Sequence, residues 1–250
     1  MTKLLLLNAV LLCILVPAAV LSVKKAKSEK GRARLLLLAS LLTVLCHYSS
    51  LLYHAAGDGE VLRYLEYNPN LILPIYPCNA VMWCCVIFGF MKNKKSRTGR
   101  FLADYIFWFG LPACAFGMLV NIDFLRDPDL SNFDAVKSTV AHAFMLYNVL
   151  LLRPFGHVKT ELKTNMLHIL IAEGMMLLLG LYCTLVFWVL SGKEAAYSVN
   201  SMFILSSPFE SLPFLRYPVI ALAALAVYFV ILTVCGRISG KRKKEQVQRP

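Results

Sequence analysis

The chain has 250 residues, 58% of them hydrophobic and only 16% charged, against ~45–50% and ~25% in soluble domains. The excess lies in long runs almost free of charge, which excludes an ordinary soluble enzyme and predicts an integral, multi-pass membrane protein. A net charge of +12 does not point to nucleic acid, because the basic residues cluster in loops between apolar runs.

Seven runs are long enough to cross a hydrocarbon core ~30 Å thick at ~1.5 Å per residue: residues 3–23, 34–54, 70–91, 101–122, 135–155, 165–190 and 216–236. The fold class expected is therefore all-α, a single bundle domain of seven transmembrane helices over residues 1–236, with a basic cytoplasmic tail over 237–250. Most of the 26 Lys and Arg residues fall at 24–34, 92–100, 153–163 and 237–249, whereas most of the 14 acids, among them Asp58, Glu60, Asp123, Asp127, Asp129 and Asp134, fall in the alternate loops. That alternation orients the chain with its N-terminus outside and its C-terminus in the cytoplasm. A positive cluster following the first run favours an uncleaved anchor over a signal peptide.

In chain order, the first span is apolar apart from Asn8 and reads as lipid-facing scaffold, with Pro17 inside it. The second turns polar late, with His47 and His54 seven residues apart on one helical face. Gly57-Asp58-Gly59 then marks a turn. The third span contains Leu73-Pro74-Ile75-Tyr76-Pro77-Cys78-Asn79, in which two prolines, a thiol and an amide interrupt a stretch that lipid would want uniform. Freed backbone groups at such depth must face protein or a wet cavity. The fourth carries Phe107-Trp108-Phe109-Gly110-Leu111-Pro112 and, near its inner end, Asp104. The fifth is punctuated by Lys137, His142, Asn148 and Arg153, with Tyr147 and Asn148 reading as bonders to neighbouring helices. The sixth holds His168 and Glu173, which with Asp104 and Arg153 suggest an inner cluster of charges. The last outer loop contains Asn200-Ser201-Met202-Phe203-Ile204-Leu205, a re-entrant or interfacial segment by its composition.

Counting from the outer ends of their spans puts Cys78 ~12 Å deep, and His142 and His47 ~10 Å deep. A thiol becomes a nucleophile when a His takes its proton, and unwinding at Pro77 would turn the N–H groups of Cys78 and Asn79 toward an oxyanion. Asn79 or Asn200 is the candidate side-chain donor, and His47 a further positioning residue. The same residues read equally as a packing thiol, an interhelical hydrogen bonder and a kink. No metal or other cofactor is expected: His47, His54 and His142 find no Asp or Glu in their layer. The eight cysteines all lie in spans and include no CxxC.

The order of these motifs resembles the YwaF and transmembrane-protein-164 family of seven-span proteins. The match rests on Leu73-Pro74 and Cys78, on Phe107 through Pro112, on His142, and on Asn200, Met202, Phe203, Leu205 and Pro208. The resemblance implies acyl chemistry on phospholipids, with Cys78 as acyl-accepting nucleophile and His142 as base. More remotely, the chain is similar to intramembrane lipid-ester hydrolases that use a Thr and a His. It departs from the family pattern at Val120-Asn121-Ile122-Asp123, where the family has Thr-Pro-Asp, and at Asn200-Ser201, where it has Asn-Tyr. The expected partners are membrane phospholipids and no nucleic acid. The competing expectations are a binding or transport protein with a polar cavity in the outer half of the bundle, and a scaffold subunit.

Overall fold

A computed structural model of the chain describes residues 2–57, 59, 61–121, 129–190, 199–207 and 211–247, with side chains described through Gly236. The acidic-loop residues Asp123 and Asp127, the turn residues Asp58 and Glu60, and Pro208 lie outside the described residues. The architecture is helical, with no strand among the described residues, and six helices are long and apolar enough to cross a membrane. The chain forms two compact units, residues 1–158 and 159–250.

The first unit contains α1 (Thr2–Lys25), α2 (Glu29–Gly57), a short α3 (Val61–Tyr67), a 3-10 turn (Pro69–Leu71), α4 (Pro77–Phe90), α5 (Arg97–Leu119) and α6 (Phe133–Leu152). Helix α6 is its centre, packed on α1, α2 and α5. Polar residues inside α6, among them Lys137, His142 and Asn148, do not break it, because each finds a partner. Asn148 Nδ2 donates to Ser40 Oγ on α2 at 2.7 Å, and Ser40 Oγ lies within 3.0 Å of the Cys85 carbonyl of α4. One hydroxyl thus ties three helices. Tyr147 OH meets Ser22 Oγ of α1 at 2.6 Å. Both residues bond to neighbouring helices, as their faces predicted.

Helix α1 buries Leu4, Asn8, Leu15 and Ala19, close to a heptad stripe, and leaves the rest of its apolar surface outward, as a helix bathed in lipid does. Asn8 is more than scaffold: its Nδ2 donates to the Met118 carbonyl of α5 at 2.7 Å. Helix α5 starts from a Ser96 cap, whose side chain accepts from the Gly99 N–H, and keeps Pro112 inside it.

The third expected span is corrected. Residues 70–76 are not α-helical; a 3-10 turn and an extended Tyr76 lead into α4, which begins at Pro77. Proline is favoured at the first helical position and tolerated poorly later, so Pro77 starts the helix where an unbroken span would have placed a kink. The helix has 14 residues, ~21 Å at ~1.5 Å per residue. Trp83, Ile87 and Phe90 face outward and Val81, Met82, Cys85 and Phe88 face inward.

The second unit contains α7 (Leu162–Leu190), a 3-10 turn (Ser201–Phe203) and α8 (Tyr217–Val247). The α8 backbone runs on through the basic residues that were expected as a separate tail. Glu173 is buried, and its carboxylate accepts from Tyr217 OH at 2.7 Å. A phenol is the partner of this intramembrane acid within the unit, where the sequence suggested charges. Met202 and Ile204 seat on Gly180 of α7, where even a Cβ would collide with them. Met202 is fully buried at φ 54°, a left-handed conformation uncommon for a side-chain-bearing residue.

Candidate functional site

Two layers of polar residues cross the first unit. One lies where α2 ends and α6 begins. Asn132 caps α6 by accepting from the Ala135 N–H, and Asp134 follows in the first turn, where a carboxylate suits the helix dipole. Asp134 Oδ1 accepts from Ser50 Oγ at 2.7 Å and from Tyr64 OH at 2.7 Å, and its Oδ2 lies 2.9 Å from His54 Nε2. The rings of His54 and Tyr64 stack at 3.9 Å. Lys137 Nζ lies 3.6 Å from the same carboxylate. The expectation that no acid shares a layer with the histidines is overturned for His54 alone: Asp134 reads in sequence as a loop acid, but its neighbours arrive from 70 and 84 residues away. Among the described residues no group of three His, Cys, Asp or Glu is placed to hold a metal.

The His54–Asp134 contact calibrates depth. His47 lies seven residues from His54 on α2, ~10.5 Å along its axis, and His142 eight residues from Asp134 on α6, ~12 Å. The two imidazoles therefore occupy one level, and they lie within electrostatic reach of each other. His142 Nδ1 is 2.8 Å from the Ser138 carbonyl one turn earlier. A carbonyl only accepts, so Nδ1 carries the proton and Nε2 presents its lone pair. That nitrogen rests against Gly117 of α5: a Cβ at position 117 would overlap the ring. Glycine is required here by close approach.

One helical turn along α5 from Gly117 is the buried Cys114, which has Cys78 as an electrostatic neighbour. Cys78 and His142 thus both border the Cys114–Gly117 turn of α5, one from α4 and the other from α6. Cys78 is the second residue of α4, where an N–H has no intrahelical carbonyl to reach. The N–H groups of Cys78 and Asn79 lie beside the sulfur, that of Asn79 also donating to the Tyr76 carbonyl at 3.0 Å. Asn79 closes the turn from the other side, its Oδ1 accepting from the Tyr76 N–H at 3.3 Å, which leaves Nδ2 as its remaining side-chain donor.

His47 differs from the other histidines. Its Nε2 is buried and has no hydrogen-bond partner among the described residues, a state that costs ~1–3 kcal/mol unless something fills it. Cys46, beside it, donates its thiol to the Lys137 carbonyl at 3.5 Å.

Asn200 belongs to the second unit and has no spare donor. Its Nδ2 donates to the Ser206 carbonyl and hydroxyl, and its Oδ1 accepts from the N–H groups of Leu205 and Ser206. The Asn-x-Met-Phe-x-Leu motif is thus a closed loop that seats Met202 on α7. The expected contribution of Asn200 to an oxyanion site finds no free group in this arrangement.

Asp134, Gly117 and Lys137 escaped the sequence reading as parts of one place. Only Lys137 left a signal there, as a cation inside an apolar run. Comparison with curated proteins and with solved structures gives no significant match. The profile of the TMEM164 family matches residues 1–235, which takes in both units and every element named above except the end of α8. This chain is a multi-pass membrane protein belonging to the TMEM164 family.

Proposed function

We propose that the chain is a membrane-embedded acyltransferase or lipid-ester hydrolase in which Cys78 is the nucleophile and His142 the general base. The observation that carries the reading is their shared border on the Cys114–Gly117 turn of α5, with the His142 tautomer set by Ser138 so that Nε2 accepts. The Cys78 thiol sits in the first turn of α4 with amide N–H groups beside the sulfur, donors in place for charge that develops during the reaction.

In the first step the Cys78 proton passes to His142 Nε2 and the sulfur adds to an ester carbonyl, forming a C–S bond. The Cys78 amide and Asn79 Nδ2 are the donors for the oxyanion. The C–O bond to glycerol then breaks, the alkoxide takes the proton back from the imidazolium, and a thioester remains. A second lipid hydroxyl, or water, gives its proton to His142, attacks the thioester and releases the thiol. The distribution of loop charges supports a site in the outer half of the membrane.

The test is acyl exchange between labelled phospholipids in vesicles holding the purified chain, together with labelling by a thiol-directed lipid-mimetic probe. Cys78→Ser and His142→Gln should each lower exchange at least ~10²-fold, and Cys78→Ala should abolish labelling. Exchange and labelling that survive both Cys78→Ala and His142→Ala at wild-type rates would rule the dyad out. The unpaired Nε2 of His47 favours, as a second reading, a protein that binds or transports a small molecule. That function would tolerate Cys78→Ser almost unchanged.

A further inference from the structure

The second unit holds a carboxyl group that the Cys78–His142 chemistry does not use. Glu173 lies inside α7 and Tyr217 opens α8, and both are buried. Tyr217 OH stands 2.7 Å from Glu173 Oε2 and 2.7 Å from the main-chain carbonyl oxygen of the same residue. Each distance is that of an ordinary two-centre O–H···O bond, which needs a hydrogen of its own. A phenol has one hydrogen, whereas a carbonyl and an ionised carboxylate only accept. Taken alone, the Oε2 contact has the phenol donating; taken together, the two contacts are one hydrogen short. Only the Glu173 carboxyl can carry it. As a carboxylic acid, Glu173 donates from Oε2 to the phenol oxygen, and the phenol donates to the Glu173 carbonyl. A neutral acid also escapes the cost of an ion among apolar helices.

Two phenols of α8 face the acid: Tyr217, bonded to it, and Tyr228, within electrostatic reach. Its own helix places His168 five residues away, and the Ser201–Phe203 turn brings no titratable group. Met202 and Ile204 seat on Gly180, ten residues (~15 Å) short of the Leu190 end of α7. Tyr217 meets Glu173 seven residues (~10.5 Å) further along. Both therefore lie at membrane depth, where non-helical backbone has to be covered by protein or water. Ser201 Oγ and, one turn from Gly180, Thr184 Oγ1 are buried without partners among the described residues, and water would satisfy them. We propose that Glu173 is a proton-binding site of the second unit, reached by water along the Ser201 turn, whose proton fastens the start of α8 to α7. Without it, one hydrogen serves two contacts, and one contact opens.

The experiment uses the full chain in lipid vesicles near neutral pH, treated with a lipid-soluble carbodiimide. The acid's proton passes to a carbodiimide nitrogen and a carboxyl oxygen adds to the central carbon. The resulting O-acylisourea rearranges to a stable N-acylurea, and no atom is lost. Peptide mapping should place this adduct on Glu173. Infrared difference spectra, wild type minus Glu173→Gln, should show a carboxylic acid carbonyl band that moves in heavy water. Glutamine, whose amide N–H donates to Tyr217 as the acid does, should leave the thermal midpoint near that of the wild type. Raising the pH until the band disappears should speed hydrogen exchange at residues 217–221 at least ~3-fold relative to Glu173→Gln at the same pH. Where Glu173→Gln does not fold, the mapped adduct and isotope-edited spectra of the native chain carry the test. Absence of both band and adduct near neutral pH overturns the proposal. So does a band unmoved by heavy water, or exchange that follows pH identically in the two proteins.

Discussion

Helices α2 and α6 carry two polar layers about two turns apart, and the layers behave oppositely. At the Asp134 layer, side chains of Ser50, His54 and Tyr64 converge on one carboxylate. At the His47–His142 layer, a buried nitrogen of His47 has no partner among the described residues and His142 Nε2 rests against a bare Gly117. The same two helices supply both. A satisfied layer holds elements together, and an unsatisfied one holds a place for something else. The second unit offers the same contrast in miniature, with Asn200 wholly committed to its loop and Thr184 and Ser201 burying hydroxyls without partners among the described residues.

Substitutions can break or sharpen this contrast. The largest effect is expected at Gly117. A methyl there pushes the His142 ring off its Ser138 bond, so Gly117→Ala should lower acyl exchange at least ~10²-fold, with helical content by circular dichroism unchanged. Retained exchange would mean that His142 does not work from the position it occupies. Next comes Asp134→Ala, which strands three donors and a nearby cation. It should cost ~2–4 kcal/mol, read as a clear drop in the thermal midpoint of the detergent-solubilised protein. A smaller effect is expected at His47. Carbon in place of Nε2 removes the cost of a buried nitrogen with no partner among the described residues, but the ring's bond to the Asn70 backbone is lost with it, so His47→Phe should change stability by no more than ~1 kcal/mol. A marked loss of stability there would show that the two layers are alike after all.

The smallest effect concerns His157, in the loop beyond α6, whose ring stands edge-on to Phe88 at 5.2 Å. Burial, then the neighbouring Lys94 and Arg32, hold its pKa below the usual 6.5. The folded state thus prefers the neutral ring. Its contribution is fully present above ~6.5 and is lost as pH falls through the lower folded value, because the unfolded chain takes up the proton first. Thermal midpoints measured between pH 7.5 and 5 (roughly the window histidine spans) should decline, and His157→Gln should flatten that slope without touching exchange.

How much of this was legible in sequence depends on the range of the cause. Hydropathy found the long helices because twenty apolar residues in a row suffice to define a span. Residues 70–91 misled it, since an apolar count cannot see that Pro77 makes a better helix start than a helix interior. Cys78, His47 and His142 were found as a layer by counting residues, and the His54–Asp134 contact brings the two histidines to one level by an independent route. What counting could not supply was azimuth. That His142 lies on Gly117, or that Ser50 finds Asp134 across 84 residues, depends on how three helices turn toward each other. Asn200 misled in the other direction: a motif kept together by loop closure looks the same in sequence as one kept for chemistry.

The brevity of α4 carries one more consequence. At ~21 Å it falls well short of a ~30 Å hydrocarbon slab, and the polypeptide completing the crossing has peptide groups that a dry acyl environment would not accept. Leu71 and Ile75 turn part of that segment into the protein, and a bilayer dimpled at this spot, with water and glycerol oxygens drawn toward the start of the helix, would meet the rest. On the proposed function, ester groups that normally ride at the rim would then reach the thiol without being pulled out of their leaflet. Hydrophobic mismatch becomes an experimental handle: lengthening the host acyl chains thickens the slab and deepens the dimple at a cost of fractions of a kcal/mol per Å. Exchange should slow steadily from thin to thick membranes of otherwise equal composition.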